Sequence, residues 1–379
     1  MADRRSIQQE DALHELIKTI STKIVRSGYK ISSSSVEQQL SNERDIDSQS
    51  LIALVILNAS YISALAKKPL HSMPPMTTQQ NDLNAAFELL TASGYRVTRP
   101  FEAPTSYSDQ TPTGKLVKAA VLDTETTGLN PATDKIIELG IVVFEYSTET
   151  GQAYRVLETF DELEDPGMPI PPESTKVHNI TDAMVAGKRI DDDTVKSLMA
   201  DVSIVIAHNA NFDRGFVEAR FPFFADKPWA CSLAQVPWKS EGFGAAGLEF
   251  LAYRCGFHFG GHRASVDCQA LLEVLQSELP VSGGKAMKAL LSNARASEIK
   301  VWALNALFDQ KDQLKARGYR WEADRKTWTG LVPQSNLEAE VEWLRENVYQ
   351  GRPFKLELEK IDALHRFTSR RGHTKTVSY

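Results

Sequence analysis

KAAVLDTETTGL, residues 118–129, joins an apolar run to two acids and a hydroxyl–glycine turn. An apolar run that ends at a glycine turn predicts a buried strand. Side chains two residues apart on a strand point to the same face, so Asp123 and Glu125 project side by side at its end. Neighbouring carboxylates repel each other unless a cation lies between them, and oxygen ligands on a rigid strand suit Mg²⁺ or Mn²⁺. A solvated strand end without a metal is the alternative, so the interpretation depends on partners elsewhere in the chain.

Length and composition indicate a globular protein of two or three domains. The chain has 379 residues, too many for one ordinary core, and 42% of them are hydrophobic. No run approaches the length of a membrane span, and the polar start lacks the apolar region of a secretory signal. Three cysteines are too few for a paired disulfide framework. These features predict a cytoplasmic protein with no membrane partner.

The net charge of −6 is distributed unevenly along the chain. Residues 1–115 carry 12 basic and 12 acidic side chains, residues 116–279 carry 13 and 25, and residues 280–379 carry 18 and 12. The middle region therefore has a net charge of −12 and the last region one of +6. An acidic middle suits a metal site built from carboxylates, and a basic C-terminal third suits a polyanionic partner.

Residues 1–99 predict a helical N-terminal module. Hydrophobic residues recur at helical spacing from Ile7 to Val25, from Ser50 to Ala66 and from Leu83 to Ala92. The module has no catalytic grouping, and we expect it to pack against a second copy of the chain in a homo-oligomer. A merely stabilising extension is the alternative. Residues 100–115, rich in Pro, Ser and Thr, predict a linker.

Residues 116–279 predict a mixed sheet with helices on its faces. Candidate strands at Lys135–Tyr146 and Tyr154–Leu163 follow the opening strand, and helices then alternate with one more strand, Ser203–Ala207. That strand leads into a helix that Asn211 is expected to cap. Asp213 then lies in the first helical turn, where it can face an adjacent strand end. A simple capping role is the alternative for this acid alone.

HRASVD, residues 262–267, precedes the last helix of this region. The helical pattern begins at about Ser265, which places His262 on the loop before it and Asp267 near its start. A loop histidine can approach a substrate while the helix fixes the acid, as expected of a base beside a metal site. A surface or packing histidine is the alternative. A zinc cluster, whose spacing would match no standard pattern, would use Cys255, His258, His262 and Cys268.

Taken together, these motifs resemble the DEDDh 3′–5′ exonuclease family, which includes the epsilon subunit of DNA polymerase III and bacterial exonuclease X. The matching segments are DTETTGL at 123–129, AHNANFD at 207–213 and HRASVD at 262–267. VHNIT at 177–181 is similar to the family's His-Gly-Ile-Thr segment, with Asn179 in place of the glycine. The resemblance covers about residues 116–279, and three motifs in the family's order make coincidence improbable.

The resemblance implies a ribonuclease-H-like fold and a site with two divalent ions, Mg²⁺ or Mn²⁺. Four carboxylates would bind these ions: Asp123, Glu125, Asp213 and Asp267. Their four negative charges balance two such ions. His262 would take a proton from the attacking water, since the ordinary histidine pKa of about 6.5 suits a base at neutral pH. The terminal nucleotide would contact Thr126, Thr127, Leu129, Asn209 and Phe212.

Residues 285–379 predict a small basic α+β domain that follows a Gly-rich hinge. Its hairpin combines Trp321 and Trp328 with Arg and Lys side chains, a mixture typical of single-stranded nucleic-acid binding. Tryptophans in the core of a small sheet are the alternative. Pro353–Leu358 is expected to be the final strand, and residues 366–375 are expected to form a mobile basic arm.

The sequence therefore predicts an α/β enzyme that binds DNA 3′ ends. Its predicted reaction is metal-dependent 3′–5′ hydrolysis of phosphodiester bonds by a two-metal-ion mechanism, with release of nucleoside monophosphates. A 3′–5′ exoribonuclease and an inactive nucleic-acid-binding scaffold are the alternatives. The complete set of four carboxylates and His262 argues against the scaffold, which needs none of them.

Overall fold

The computed structural model describes Ala85 and residues 87–379. The chain divides into two compact units, Met1–Tyr95 and Arg96–Tyr379. In the first unit, residues 87–92 are helical, within the predicted helix that ends at Ala92. The other N-terminal helices, and the self-association predicted from them, lie outside the described residues. Among the described residues, no helix is both long and apolar enough to cross a membrane.

A five-stranded mixed sheet forms the centre of the second unit. The strands up to residue 258 are β1 (Arg99–Pro100), β2 (Leu116–Thr126), β3 (Ile136–Ser147), β4 (Ala153–Leu163), β5 (Val202–Ala207), β6 (Trp229–Cys231) and β7 (Phe257–His258). The central sheet has the order β4-β3-β2-β5-β6, and β1 pairs with β7 outside it. β2, β3 and β4 are antiparallel, whereas β2, β5 and β6 are parallel. The predicted ribonuclease-H-like mixed sheet is thereby confirmed.

Helices cover both faces of this sheet. They are α1 (Pro172–His178), α2 (Asp182–Val185), α3 (Asp192–Leu198), α4 (Ala210–Arg220), α5 (Ser232–Gln235), α6 (Leu248–Arg254), α7 (Ala264–Gln276) and α8 (Ala286–Arg295). Apolar side chains of α6, α7 and α8 pack on the face that carries Ala119 and Val121 of β2. Those of α3 and α4 pack on the face that carries Ala120 and Leu122. Because both faces are buried, β2 is a continuous apolar run and shows no polar alternation.

The C-terminal region forms a second sheet, all antiparallel. Its elements are β8 (Glu298–Leu304), α9 (Lys311–Ala316), β9 (Arg320–Glu322), β10 (Thr327–Pro333), α10 (Leu337–Asn347), β11 (Lys355–Ile361) and β12 (Thr374–Ser378). The strand order is β12-β11-β8-β10-β9, and Leu314 of α9 and Leu344 of α10 pack on one face. The strand predicted at Pro353–Leu358 overlaps β11, but the prediction that it is the final strand is wrong, because β12 follows β11 and pairs with it.

Two predicted boundaries fall in packed structure. Residues from 285 onward were expected to belong to the C-terminal domain, but the apolar side of α8, including Leu290 and Leu291, is buried in the core of the central sheet. The predicted linker, residues 100–115, also lies against that core through Phe101 and Tyr107. Apolar side chains in both segments explain why the observed boundaries differ from the predicted ones, because burying these side chains on an existing core is energetically favourable.

The predicted mobile basic arm is instead a packed connection between β11 and β12, here called the C-terminal strap (residues 362–373). Arg366 is buried and donates hydrogen bonds to the carbonyls of Ala294 and Ala296 and, over 2.9 Å, to Glu298. From the central domain, the fully buried Arg214 donates to the carbonyls of Arg366 (2.6 Å) and Leu364 (2.8 Å). The strap therefore joins the two sheets through buried guanidinium groups, which satisfy carbonyls that would otherwise lack partners.

Candidate active site

Three of the predicted carboxylates converge at the end of β2. Asp123, Glu125 and Asp267 each place a ligand oxygen within 4.8 Å of the other two. By strand alternation, Asp123 and Glu125 share the face of Val121, on which α7 packs. Asp267 lies in the first turn of that helix. Among the described residues, no other group of three or more His, Cys, Asp or Glu side chains is close enough to hold a metal ion, so the alternative zinc cluster is not formed.

Asp213 reaches the same strand end from the opposite face of the sheet. It lies in the first turn of α4, the helix packed on the face of β2 that carries Ala120 and Leu122. Its Oδ1 accepts hydrogen bonds from the backbone N–H (3.1 Å) and the hydroxyl (2.9 Å) of Thr124. Thr124 lies between Asp123 and Glu125 and therefore points to that opposite face. The four acids thus surround the strand end, with Asp213 outside the group of three.

Burial and mutual repulsion make these carboxylates hard to ionise without a cation. Burial, followed by the charges of the neighbouring acids, raises the pKa of Asp123 well above its ordinary value. The same two causes raise the pKa of Glu125 to about 8. Burial raises the pKa of Asp213 to about 7, against the opposing hydrogen bonds from Thr124. Burial also raises the pKa of Asp267 to about 6, and the backbone N–H of Arg263 and the charge of His262 oppose that rise.

His262 lies on an exposed loop beside this group. Its backbone has a φ of 65°, in the left-handed region that few non-glycine residues adopt. The next residue, Arg263, donates its backbone N–H to Oδ2 of Asp267 over 3.0 Å, which ties the loop to the start of α7. The predicted arrangement, in which a histidine on a loop adjoins an acid on a helix, is present.

The turn after β2 combines fixed polar groups with one protruding side chain. Thr126 donates its hydroxyl to the carbonyl of Gly128 over 2.6 Å, and Thr127 accepts the backbone N–H of Lys135 over 3.0 Å. Both threonines are buried, whereas Leu129 is 84% exposed. An exposed leucine on a rigid turn is available to contact a ligand, because its side chain is not packed against the rest of the protein.

Asn209 and Phe212 lie at the start of α4. The helix begins at Ala210, so Asn209 is the residue before it and the predicted cap, Asn211, lies inside the helix. Phe212 is partly buried and its ring centroid lies 4.9 Å from that of Phe216. Asn209 is exposed. The structure thus places these two residues within four positions of Asp213 along the chain.

Sequence reasoning missed two groups beside the site. Glu138 of β3 is the cross-strand partner of Glu125 and is fully buried. It binds the side chain of Arg263, the residue after His262. His178, at the end of α1, is also buried, and burial followed by the charge of nearby His262 lowers its pKa. The VHNIT segment was a signal for His178, whereas Glu138 lies in an apolar strand that gives no such signal.

The donor chemistry of the site fits divalent metal ions. All four ligand side chains are carboxylates, the donors that hard ions such as Mg²⁺ and Mn²⁺ prefer. Their raised pKa values indicate a surplus of negative charge that bound cations would relieve. A cluster of partly buried carboxylates at the end of the central strand of a mixed sheet defines a metal-dependent hydrolase of the ribonuclease-H-like class.

Comparisons with known proteins agree with this class. A family model described as exonuclease, of the RNase T type, matches residues 120–275. The DNA polymerase III subunit epsilon of Treponema pallidum is 30% identical over 167 residues, which cover 42% of this chain and 74% of that protein. A DNA polymerase III subunit epsilon-like protein of Rhodobacter capsulatus is 33% identical over 186 residues, covering 45% of this chain and 25% of that protein.

A solved structure is also similar in sequence. Exonuclease X in complex with 5′-overhanging duplex DNA is 25% identical, covers 46% of this chain and 99% of that chain, and has a TM-score of 0.35. On the family match and the Treponema relative, the chain belongs to the exonuclease family. Its reaction class is therefore nuclease hydrolysis, and proteins of this family use divalent metal ions.

Metal removal should make the stability of the protein strongly dependent on pH. The raised pKa values mean that the folded state retains protons that the unfolded chain has released, so stability is lost as the pH rises from about 5 to about 8. We expect the thermal midpoint in EDTA to fall by about 3 °C or more between pH 6 and pH 8. Saturating Mg²⁺ should remove most of that fall. Scanning calorimetry at fixed ionic strength measures both.

Two variants make this prediction specific. Glu125→Gln removes one of the repelling charges and should flatten the pH dependence in EDTA. Glu338→Gln, which neutralises an exposed acid in the C-terminal domain, should retain it. A thermal midpoint that is constant or rises with pH in EDTA, for the unmodified chain, would contradict the account of the site.

Proposed function

We propose that this protein is a metal-dependent 3′–5′ exonuclease that hydrolyses DNA phosphodiester bonds from the 3′ end and releases nucleoside monophosphates. The observation that carries the proposal is the approach of Asp123, Glu125 and Asp267 to within 4.8 Å of one another, with Asp213 held by Thr124 at the same strand end. Membership of the exonuclease family supports the same chemistry.

The proposed metal ligands are the carboxylates of Asp123, Glu125, Asp213 and Asp267, and their charge suits two ions, Mg²⁺ or Mn²⁺. When bound, the two ions would neutralise the carboxylates and act as Lewis acids toward the attacking and leaving oxygens. The rigidity of the set supports this assignment. Asp123 and Glu125 are fixed by the strand, Asp267 by α7, and Asp213 by two hydrogen bonds from Thr124.

His262 is proposed as the general base. An imidazole at the edge of the site can accept a proton from the water that attacks the terminal phosphodiester. Its exposure leaves a path for that proton to solvent. Burial lowers the pKa of the nearby His178, which favours the uncharged form of that ring at neutral pH. His262 is thus the more accessible of the two imidazoles for proton transfer.

The terminal nucleotide is proposed to bind against the turn after β2 and the start of α4. Exposed Leu129 would contact the base or sugar, and the backbone of Thr126 and Thr127 is held rigid by the hydrogen bonds of the turn. Asn209 and Phe212 would border the nucleotide on the side of Asp213. Rigid positioning matters because small displacements of a bound phosphodiester lower the rate steeply.

DNA is proposed as the substrate because two relatives of similar sequence are named as a DNA polymerase III subunit epsilon and an epsilon-like protein. A 3′–5′ exoribonuclease is the second candidate, since contacts that distinguish a 2′-hydroxyl are not defined by the carboxylates. An inactive scaffold is less favourable, because it would retain the cost of burying repelling acids without a function for them.

The C-terminal domain is proposed to extend the nucleic-acid surface. Trp321 is 52% exposed and follows Arg320 on the edge strand β9, whereas Trp328, its cross-strand partner on β10, is buried. Only one of the two predicted tryptophans is thus free to stack on a base. Stacking on an aromatic ring contributes about 1–3 kcal/mol per base.

Trp321→Ala should therefore weaken binding of a 30-nucleotide single strand in EDTA by about 10-fold, as measured by fluorescence anisotropy. Leu331→Ala, which removes an exposed apolar side chain from the neighbouring strand, is the control and should leave the affinity within about twofold. Equal affinities for the unmodified chain and Trp321→Ala would reject this role.

The cytoplasmic location and the homo-oligomer stay predictions.

The main experiment follows DNA and RNA oligonucleotides, single- and double-stranded, labelled at either the 5′ or the 3′ end. With Mg²⁺, we expect a 3′ label to appear at once in a mononucleotide and a 5′ label to shorten progressively. EDTA should stop both. Asp123→Asn should lower the rate by about 10³-fold or more and His262→Ala by about 10²- to 10⁴-fold, because they remove a metal ligand and the base.

The control variant is Asp193→Asn, which changes an exposed acid of α3 and should retain the rate. If a 5′ label appeared at once in a mononucleotide and a 3′-labelled strand shortened progressively, hydrolysis would run in the opposite direction to the one proposed. Faster hydrolysis of RNA would favour the second candidate, and nucleic-acid binding without cleavage would favour the scaffold. Unchanged rates in both active-site variants would contradict the site assignment.

A further inference from the structure

Glu138 is a fifth acid beside the carboxylates, and the proposed reaction does not use it. Its side chain is fully buried on β3, in cross-strand register with Glu125. Its charge is one of the causes that raise the pKa of both Asp123 and Glu125. An uncompensated buried carboxylate is strongly unfavourable, so the presence of Glu138 next to four other acids requires a partner.

The partners of Glu138 lie directly after His262. Oε1 accepts a hydrogen bond from Nε of Arg263 at 2.8 Å and lies 2.7 Å from its Nη2. Oε2 accepts the backbone N–H of Ala264 over 2.9 Å. Glu138 thus binds the side chain of Arg263 and the backbone of Ala264, the two residues that join the loop of His262 to α7. Both of its oxygens are engaged by this connection, and no metal ligand is among these partners.

The backbone around this contact leaves little freedom for the loop. Gly140, two residues along β3 on the same face, lies so close to the chain that an added Cβ would be 2.3 Å from the carbonyl carbon of Ala264. His262 itself is in the left-handed backbone region, with φ 65°. Such a conformation is unfavourable outside glycine and persists only where surrounding contacts hold it.

We infer that Glu138 is a positioning residue, which through Arg263 and Ala264 fixes the loop that presents His262 to the substrate. The guanidinium is suited to this role because it is planar and places both Nε and Nη2 within 2.8 Å of Oε1 in one orientation, which a lysine does not provide. The inference deepens the proposed function and rests on His262 acting as the base. A buried ion pair that only stabilises the fold is the competing explanation.

The two explanations differ in how the effects of substitutions combine. A residue that acts through His262 loses its effect on catalysis once His262 is absent, whereas a general loss of stability acts independently of the base. Glu138→Gln retains the size of the side chain but removes the charge that orients Arg263. Arg263→Lys retains the positive charge but removes the planar fork.

The test is a double-mutant cycle on the full chain, measured by steady-state hydrolysis of a 3′-labelled oligonucleotide with Mg²⁺. Glu138→Gln should lower kcat by about 10- to 100-fold with KM changed by less than about threefold. In the His262→Ala background, the same substitution should lower kcat by less than about threefold. Arg263→Lys should behave in the same way, which keeps the test valid if Glu138→Gln does not fold.

A second measurement separates the loop from the metal ligands. The affinity for Mn²⁺ alone, from titration calorimetry, should stay within about threefold in both variants, since neither residue binds the ion. Ser265→Ala is the matched control. The Ser265 hydroxyl lies at the same helix start and donates a hydrogen bond to Asp161 over 2.7 Å, not to Glu138. It should retain kcat within about threefold.

If Glu138→Gln lowered kcat equally in the unmodified chain and in the His262→Ala background, or also lowered the affinity for Mn²⁺, the inference would be overturned. The proposed function would remain intact. If His262→Ala retained full activity, the assignment of the base would fail first, and the role of Glu138 would fail with it. Smaller losses in the His262→Ala background for both variants, with Mn²⁺ binding preserved, would establish the positioning role.

Discussion

Repulsion among the partly buried carboxylates at the end of β2 is the constraint on which the rest of the structure depends. Two of the acids come from one face of β2 and two from helices packed on its opposite faces, and burial raises the pKa of each one. Without cations this arrangement opposes folding, so the surrounding packing must hold it in place. The continuous apolar run of β2 and the helices on both faces supply that packing.

Each acid is held by an element that the fold fixes independently. The alternation of β2 sends Asp123 and Glu125 toward α7 and sends Thr124 toward α4, where it binds Asp213. The C-terminal strap adds a long-range restraint, because Arg214, the residue after Asp213, donates to strap carbonyls. The C-terminal domain is therefore connected to the helix that carries a proposed metal ligand, and removal of that domain would expose the buried guanidinium of Arg214.

Local pattern predicted the strands and helix starts around the site, since apolar runs and glycine turns mark them without reference to the rest of the chain. The role of Glu138 was not predictable, because its partner Arg263 lies 125 residues further along the chain. The sequence of β3, which carries Glu138, is otherwise that of an ordinary buried strand. The basic composition of the strap suggested mobility, yet Arg366 is buried because carbonyls of Ala294 and Ala296 accept its hydrogen bonds. In both cases a charged residue is placed by a distant partner, which periodicity does not record.

The central claim is that the four carboxylates form a seat for two divalent ions. Its most direct test is the stoichiometry of Mn²⁺ binding to the full chain, measured by titration calorimetry at pH 8 in the presence of a nucleoside 5′-monophosphate. The account predicts two ions per chain, and fewer than two for Asp213→Asn. One ion or none on the unmodified chain, or an unchanged stoichiometry in that variant, would contradict it.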